Sequence, residues 1–299
     1  MKFRLSLVIL LFTLWPAPAA DARDDRRVSV AVLDMGGTPT AARVTERLSK
    51  LLASLQIKGT TLARLDRGLS AAAARGVGYA GSLNLTLAEA RSLGAAVGCD
   101  FYLTGDAQTV RRSSSARPVY FEAYASVFVV SSRTGRLVMW ERPAAEADTA
   151  EEAEASLLTA LASSVRLYAG AVAIEAEREE RERFTTDEGE TAAVIDLSTD
   201  EGAAANRDLR EPAPYRRLRP AYTDAASRAE VEATVDALVE IGADGEVAGV
   251  RVVRWAGFGL DEEVVATVRR MHFRPAQREG EPVPVRVLLR YNFRKPPKT

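Results

Sequence analysis

Val28, Val30 and Val32 alternate with small or polar residues and end at Asp34-Met35-Gly36-Gly37, which predicts a short buried strand closed by a flexible turn. Val44, Leu48, Leu51, Leu52 and Leu55 then recur at helical spacing and predict a helix with one apolar face. A stretch rich in Ala and Gly follows in which no period is legible. Thr86-Leu87-Ala88-Glu89 opens a second helix, because Thr86 can accept from exposed amides while Glu89 returns toward it, and Gly98 ends that helix. Strands are expected near Phe101 to Val110, Val119 to Val130 and Arg136 to Trp140, with Ser131 to Gly135 turning between the last two. Thr149-Ala150-Glu151-Glu152 starts a longer helix that buries Leu157, Leu161, Val165, Tyr168 and Val172 and runs out into a charged, solvated extension.

The period changes to two further on. Val231, Ala233, Val235, Ala237, Val239 and Ile241 share one strand face, opposite Glu232, Thr234, Asp236 and Glu240. Gly242-Ala243-Asp244-Gly245 is a hairpin connection, and Glu246 to Trp255 is the returning strand. After Gly257-Phe258-Gly259-Leu260-Asp261 a helix carries Leu260, Val264, Val268 and Met271 in one stripe. A last strand places Val283, Val285, Val287, Leu289, Tyr291 and Phe293 on one face.

The overall class is therefore α+β. An N-terminal α/β sandwich-like domain covers residues 28–184, an acidic linker 185–218, and a C-terminal domain 219–299. The linker reading rests on few large apolar residues, many acids, Gly189, Gly202, Pro212 and Pro214. Charge agrees with this division: residues 144–214 carry 18 acidic and 6 basic side chains, residues 215–299 carry 12 and 15. Lys2 and Arg4 before the apolar run Leu5–Trp15, then small residues to Ala22, make residues 1–22 a signal peptide, hence a periplasmic location; an uncleaved inner-membrane anchor is the alternative. No other segment is read as a membrane span.

Candidate chemistry is sparse. With one Cys and one His, Cys99 and His272, the chain lacks the residues for a triad or a zinc site, so no cofactor, no metal and no enzymatic activity are expected. Met35-Gly36-Gly37-Thr38-Pro39 stands where phosphate loops stand but has neither their lysine nor their glycine spacing, and is read as a turn. No basic run with interleaved aromatics occurs, so nucleic acid is not an expected partner.

Tyr222, Val231 to Ile241, Asp244-Gly245-Glu246-Val247, Gly257 to Asp261, Arg270 to Ala276 and Gly280-Glu281-Pro282-Val283 stand in the order and spacing that resemble the TonB C-terminal domain, over residues 219–294. That resemblance implies a three-stranded antiparallel sheet with a helix packed on one face. It also implies that a TonB-box-like peptide of an outer-membrane receptor adds to the last strand, through Arg286, Val287, Leu288, Leu289, Arg290 and Tyr291, helped by Arg219, Pro220, Ala221 and Tyr222. Strand exchange to a homodimer is compatible with it. Tyr222-Thr223 replaces the usual Tyr-Pro, and Ala233 the usual Gly. The N-terminal part resembles the periplasmic domain of TolB and CsgG, on Val30 to Asp34, Leu87 to Asp106 and the pair around Thr134 to Leu137. Two functions are consistent with these features: TonB-dependent energy transduction, or a non-energised envelope scaffold using both domains for protein contacts.

Overall fold

The computed structural model describes residues 26–57, 59–184 and 194–295; the proposed signal peptide lies outside them. The N-terminal domain runs β1 (Arg26–Val32), α1 (Pro39–Ala53), β2 (Thr60–Arg64), α2 (Arg67–Gly76), α3 (Leu87–Val97), β3 (Phe101–Arg112), β4 (Tyr120–Ser131), β5 (Leu137–Glu141), β6 (Ala144–Ala147) and α4 (Ala150–Phe184). Its six-stranded sheet has the order β2-β1-β3-β4-β5, with β6 also on β4. β1 is parallel to β2 and β3, and the β3-β4 hairpin pairs twelve residues deep from Phe101↔Ser131 to Arg112↔Tyr120. The capping box of α3 forms as its sequence predicts, and Gly98 closes the helix at φ 75°. Thr38 caps α1, so the Met35–Pro39 segment is a strand-to-helix turn whose polar groups are used internally. β2, α2 and β6 had no legible period.

Alternation sends every second strand residue to each sheet face. One face, with Val28, Val30, Val32, Phe101, Leu103, Val127 and Val129, packs under α1 and α4. By length and composition α4 is apolar enough to cross a membrane, contrary to the expectation that no such segment follows the N-terminus. Its stripe of Ala153, Leu157, Leu161, Val165, Tyr168 and Val172 is buried on this face, whereas Leu167 and Ile174 of the same helix are exposed. Nor is its charged end wholly solvated, since buried Glu179 accepts from Ser131 Oγ and from Arg133 Nε at 2.8 Å.

The rest of the chain runs β7 (Ile195–Asp196), α5 (Asp200–Ala205), β8 (Ala213–Pro214), α6 (Asp224–Ala229), β9 (Ala233–Ile241), β10 (Val247–Arg254), α7 (Leu260–Val268), β11 (Phe273–Arg274), β12 (Ala276–Arg278), β13 (Glu281–Val283) and β14 (Val285–Phe293). The antiparallel strands β10-β9-β14 and the α7 stripe of Leu260, Val264 and Val268 match expectation, except that α7 ends before Met271 and Val283 belongs to β13 rather than to the last strand. A fourth strand is added by residues expected to be linker: β7 lies parallel to β14. The same stretch pairs β8 with β11 and exchanges backbone bonds between Arg210 and Gln277, so residues 194–218 lie along the C-terminal domain as a strap. Its sparse apolar residues Ile195, Leu197, Leu209 and Leu218 are the ones packed on the core.

The second face of the N-terminal sheet is covered jointly. Tyr102, Phe128 and Val130 pack against α3 and against the C-terminal domain in one continuous apolar cluster. Phe128 stacks on Trp255 at 5.8 Å and meets Phe258 edge-on at 5.6 Å, while Trp140 lies 5.3 Å from Phe258. Gly257, Phe258 and Gly259 are all left-handed (φ 73°, 54° and 76°), which drives the Phe258 ring into this cluster. A Cβ at Gly257 would fall 2.5 Å from the Phe128 ring, so the approach requires glycine. Trp255 Nε1 donates to Gly135 O at 3.1 Å, and Asn84 bonds Thr234 and Trp255 backbone groups on three sides. The buried Asp261 carboxylate accepts from the amides of Ala256 and Gly257, holding the turn, and burial raises its pKa to about 7.

Two outcomes follow. Phe128→Ala should cost roughly 3–5 kcal/mol and resolve one unfolding transition into two, as read by calorimetry; two transitions in the native chain would contradict the shared core. For Asp261, whose folded pKa lies above its unfolded one, the stabilisation is complete below about pH 4 and is lost as pH rises through about 7. Unfolding free energies from urea titrations should therefore fall across that window by an amount on the order of a few kcal/mol, and Asp261→Asn should flatten the profile.

Candidate peptide-binding edge

β14 pairs with β9 along its whole length, from Val285↔Ile241 to Phe293↔Ala233, without a bulge. On its other side Ile195 N donates to Pro284 O at 3.1 Å and Leu197 N to Arg286 O at 2.8 Å. The carbonyl of Arg286 thus faces away from β9. With a period of two, the backbone groups of Leu288, Arg290 and Asn292 face the same way, and β7 ends before reaching them. That stretch of edge has no strand partner among the described residues.

Beside it runs a groove of about 400 Å³, floored by Phe273, Met271 and Leu289 and walled by Leu197, Pro214 and Leu218. Val287, Leu289 and Tyr291 turn their side chains toward the core, Tyr291 reaching Met271 Sδ at 3.6 Å, whereas Leu288 is exposed.

The two arginines of the expected site are engaged. Arg286 forks onto Glu240 at 2.7 and 3.1 Å, and Arg290 onto Asp236 at 2.7 and 3.0 Å; each acid is the residue directly opposite on β9. These bonds raise both guanidinium pKa values, Arg286 through Glu240 first and Arg290 through Asp236. Asp236 is buried and also accepts from Arg254 Nε of β10 at 3.3 Å, so one carboxylate ties three strands together. Both arginines act as cross-strand braces.

A family model described as the Gram-negative bacterial TonB protein C-terminal matches residues 219–294. The C-terminal domain belongs to this family. The solution structure of the Pseudomonas aeruginosa TonB C-terminal domain is 21% identical, covering 35% of this chain and 96% of that one with a TM-score of 0.26. The hypothetical protein CT253 from Chlamydia trachomatis is 12% identical, covering 46% and 98% with a TM-score of 0.31. Comparison with curated proteins finds no match.

Within the TonB C-terminal domain, Tyr222 sits at the far end of β14, its ring 6.4 Å from that of Phe293 and its hydroxyl donating to Val231 O at 2.7 Å. Thr223, where the family has proline, caps α6 and donates to Phe258 O at 2.6 Å. The structure therefore brings Tyr222 to the end of the strand, but residues 211–218 rather than Arg219, Pro220 and Ala221 wall the groove. Sequence reasoning missed that wall because nothing in a sparse acidic stretch shows what its few apolar residues face. A larger cavity of about 600 Å³ lies between β5, β10 and α7, with Trp140, Val250 and Val265 in its lining. It is remote from β14, and backbone geometry rather than size selects the edge. His272 Nδ1 pairs with Glu246 at 2.9 Å on the surface. Cys99 is buried beside Ser132, and burial pushes its thiol up to about 11, far from a reactive thiolate.

The braces differ in burial, which yields a measurable contrast. Asp236→Ala should destabilise by about 1–3 kcal/mol with little salt dependence, and Arg286→Ala, at a half-exposed pair, by about 1 kcal/mol or less. Equal losses in urea titrations would show that burial of Asp236 does not matter.

Proposed function

We propose that this TonB-family envelope protein binds an extended peptide of an outer-membrane receptor, or of another envelope protein, by strand addition to β14. The observation that carries this reading is the backbone of Leu288, Arg290 and Asn292, unpaired among the described residues, beside a groove lined by apolar side chains together with Glu211 and Arg217. Such an edge supplies main-chain hydrogen bonds for affinity, while the groove selects alternate side chains. Arg286 and Arg290 contribute by keeping β14 straight and in register on β9.

A second reading, a non-energised scaffold, is favoured by the apolar core shared by the two domains. A transducer that must reach a distant receptor benefits from a free tether, whereas residues 194–218 are laid against the domain they would tether. In the scaffold reading the same edge binds its peptide and the N-terminal domain holds a further envelope component.

Titration of the full chain with a TonB-box peptide should move the amide resonances of Leu288, Arg290 and Asn292 ahead of those of Val287 and Leu289. Leu288→Pro removes one outward N–H and no bond to β9, so the variant should keep its fold and lose about tenfold or more in affinity. Absence of any shift along β14 would remove the peptide-binding reading. Loss of receptor-dependent uptake in cells lacking the protein, restored by the native chain but not by Leu288→Pro, would select transduction over scaffolding.

A further inference from the structure

We infer that Ile195-Asp196-Leu197 is an internal competitor for the β14 edge, and that an incoming peptide takes its place. The inference rests on the strand-addition reading above and concerns how that site is regulated.

The chain itself demonstrates that this edge accepts an added strand, in the parallel direction, with Val285↔Ile195 and Arg286↔Asp196 in register. Three features of the added strand read as an occupant that can leave. Its pairing is two residues long, and the bonds that flank it are Ile195 N to Pro284 O and Leu197 N to Arg286 O. Asp196 is satisfied without β14, because its carboxylate accepts from Ser198 N at 2.9 Å and Ser198 Oγ at 2.6 Å, while its approach to Arg286 is 3.6 Å. Arg286 likewise keeps its fork on Glu240 when Asp196 departs. The strap's remaining anchors lie downstream and do not involve the edge: the Arg210–Gln277 exchange, β8 on β11, and Arg278 on Asn206. Peeling of β7 therefore leaves the strap attached and lengthens the open edge from Leu288 back to Arg286.

The replaced residues also describe what fits. Leu197 fills the groove end, Asp196 faces Arg286, and Ile195 packs on the core beside Val285. A peptide with an apolar-acidic-apolar step running parallel to β14 reproduces all of these contacts and continues past Arg286, where β7 stops, to Leu288 and beyond. A competitor in the same chain reduces apparent affinity by the fraction of molecules whose edge is closed, and removing it restores that affinity.

The test uses the full chain and a synthetic peptide with the sequence of residues 194–198 followed by two valines. In Ile195→Pro/Leu197→Pro, which lacks both strap amides, affinity should rise about tenfold over the native chain, with amide shifts reaching Arg286. Asp196→Lys, which sets a like charge opposite Arg286 without a proline, should move in the same direction, and thermal melts establish that each variant is folded. Equal affinity in native and variant chains, with shifts at Leu288 to Asn292 in both, would overturn the competitor while leaving strand addition intact. No shift along β14 in any of them would overturn both.

Discussion

The arrangement depends on one contact, the seating of the Gly257-Phe258-Gly259 turn against Phe128. A sheet with helices on one face must cover the other, and here α3 covers only part of it. The remainder is an aromatic surface made by Phe128 with Trp140 nearby, and burying it is worth more than leaving it wet. Trp255 and Phe258 supply the matching surface. The left-handed backbone needed to present Phe258 is held by Asp261, whose carboxylate is buried at some cost to its charged form. The strained turn and the raised carboxylate pKa are thus two consequences of one packing requirement.

Edges pose the complementary problem. Unpaired strand groups invite non-specific pairing, and the C-terminal sheet treats its two borders differently. At β10 the end near Arg254 is bridged by Thr86, and Trp255 N donates to Leu85 O. At β14 the start is paired by β7 while the end is left open. Arg286 and Arg290 face neighbouring acids on β9, so they add rigidity to the open strand instead of repelling a partner from it.

Much of this was legible where a period or a cap stands alone. The α3 capping box, the alternation of Val235 to Ile241 and of Val285 to Phe293, and the stripe of α7 depend on local spacing, and each formed. What stayed hidden needed knowledge of a partner surface. β2 and α2 hold one large apolar residue each, Leu62 and Leu69, and β6 holds none, so little apolar contrast marks them. The stretch from Ile195 to Leu218 has too few apolar residues to predict a packed segment, yet those few are spaced to meet the C-terminal sheet at intervals. The roles of Arg286 and Arg290 could be read only once register placed Glu240 and Asp236 opposite them.

Rigidity at β14 bears on either functional reading. A peptide added along a strand and pulled along its length loads all of its backbone bonds together, and the load passes to β9 through an unbroken ladder reinforced by two arginine–acid braces. From β9 it reaches the common core, because Val235, Ala237 and Val239 belong to the same cluster as Trp255, Phe258 and Phe128. The N-terminal domain is therefore mechanically in series with the edge. Whether the work is transduction or tethering, the element whose release extends the edge is β7, which pairs with β14 over only two residues and whose departure leaves every brace in place.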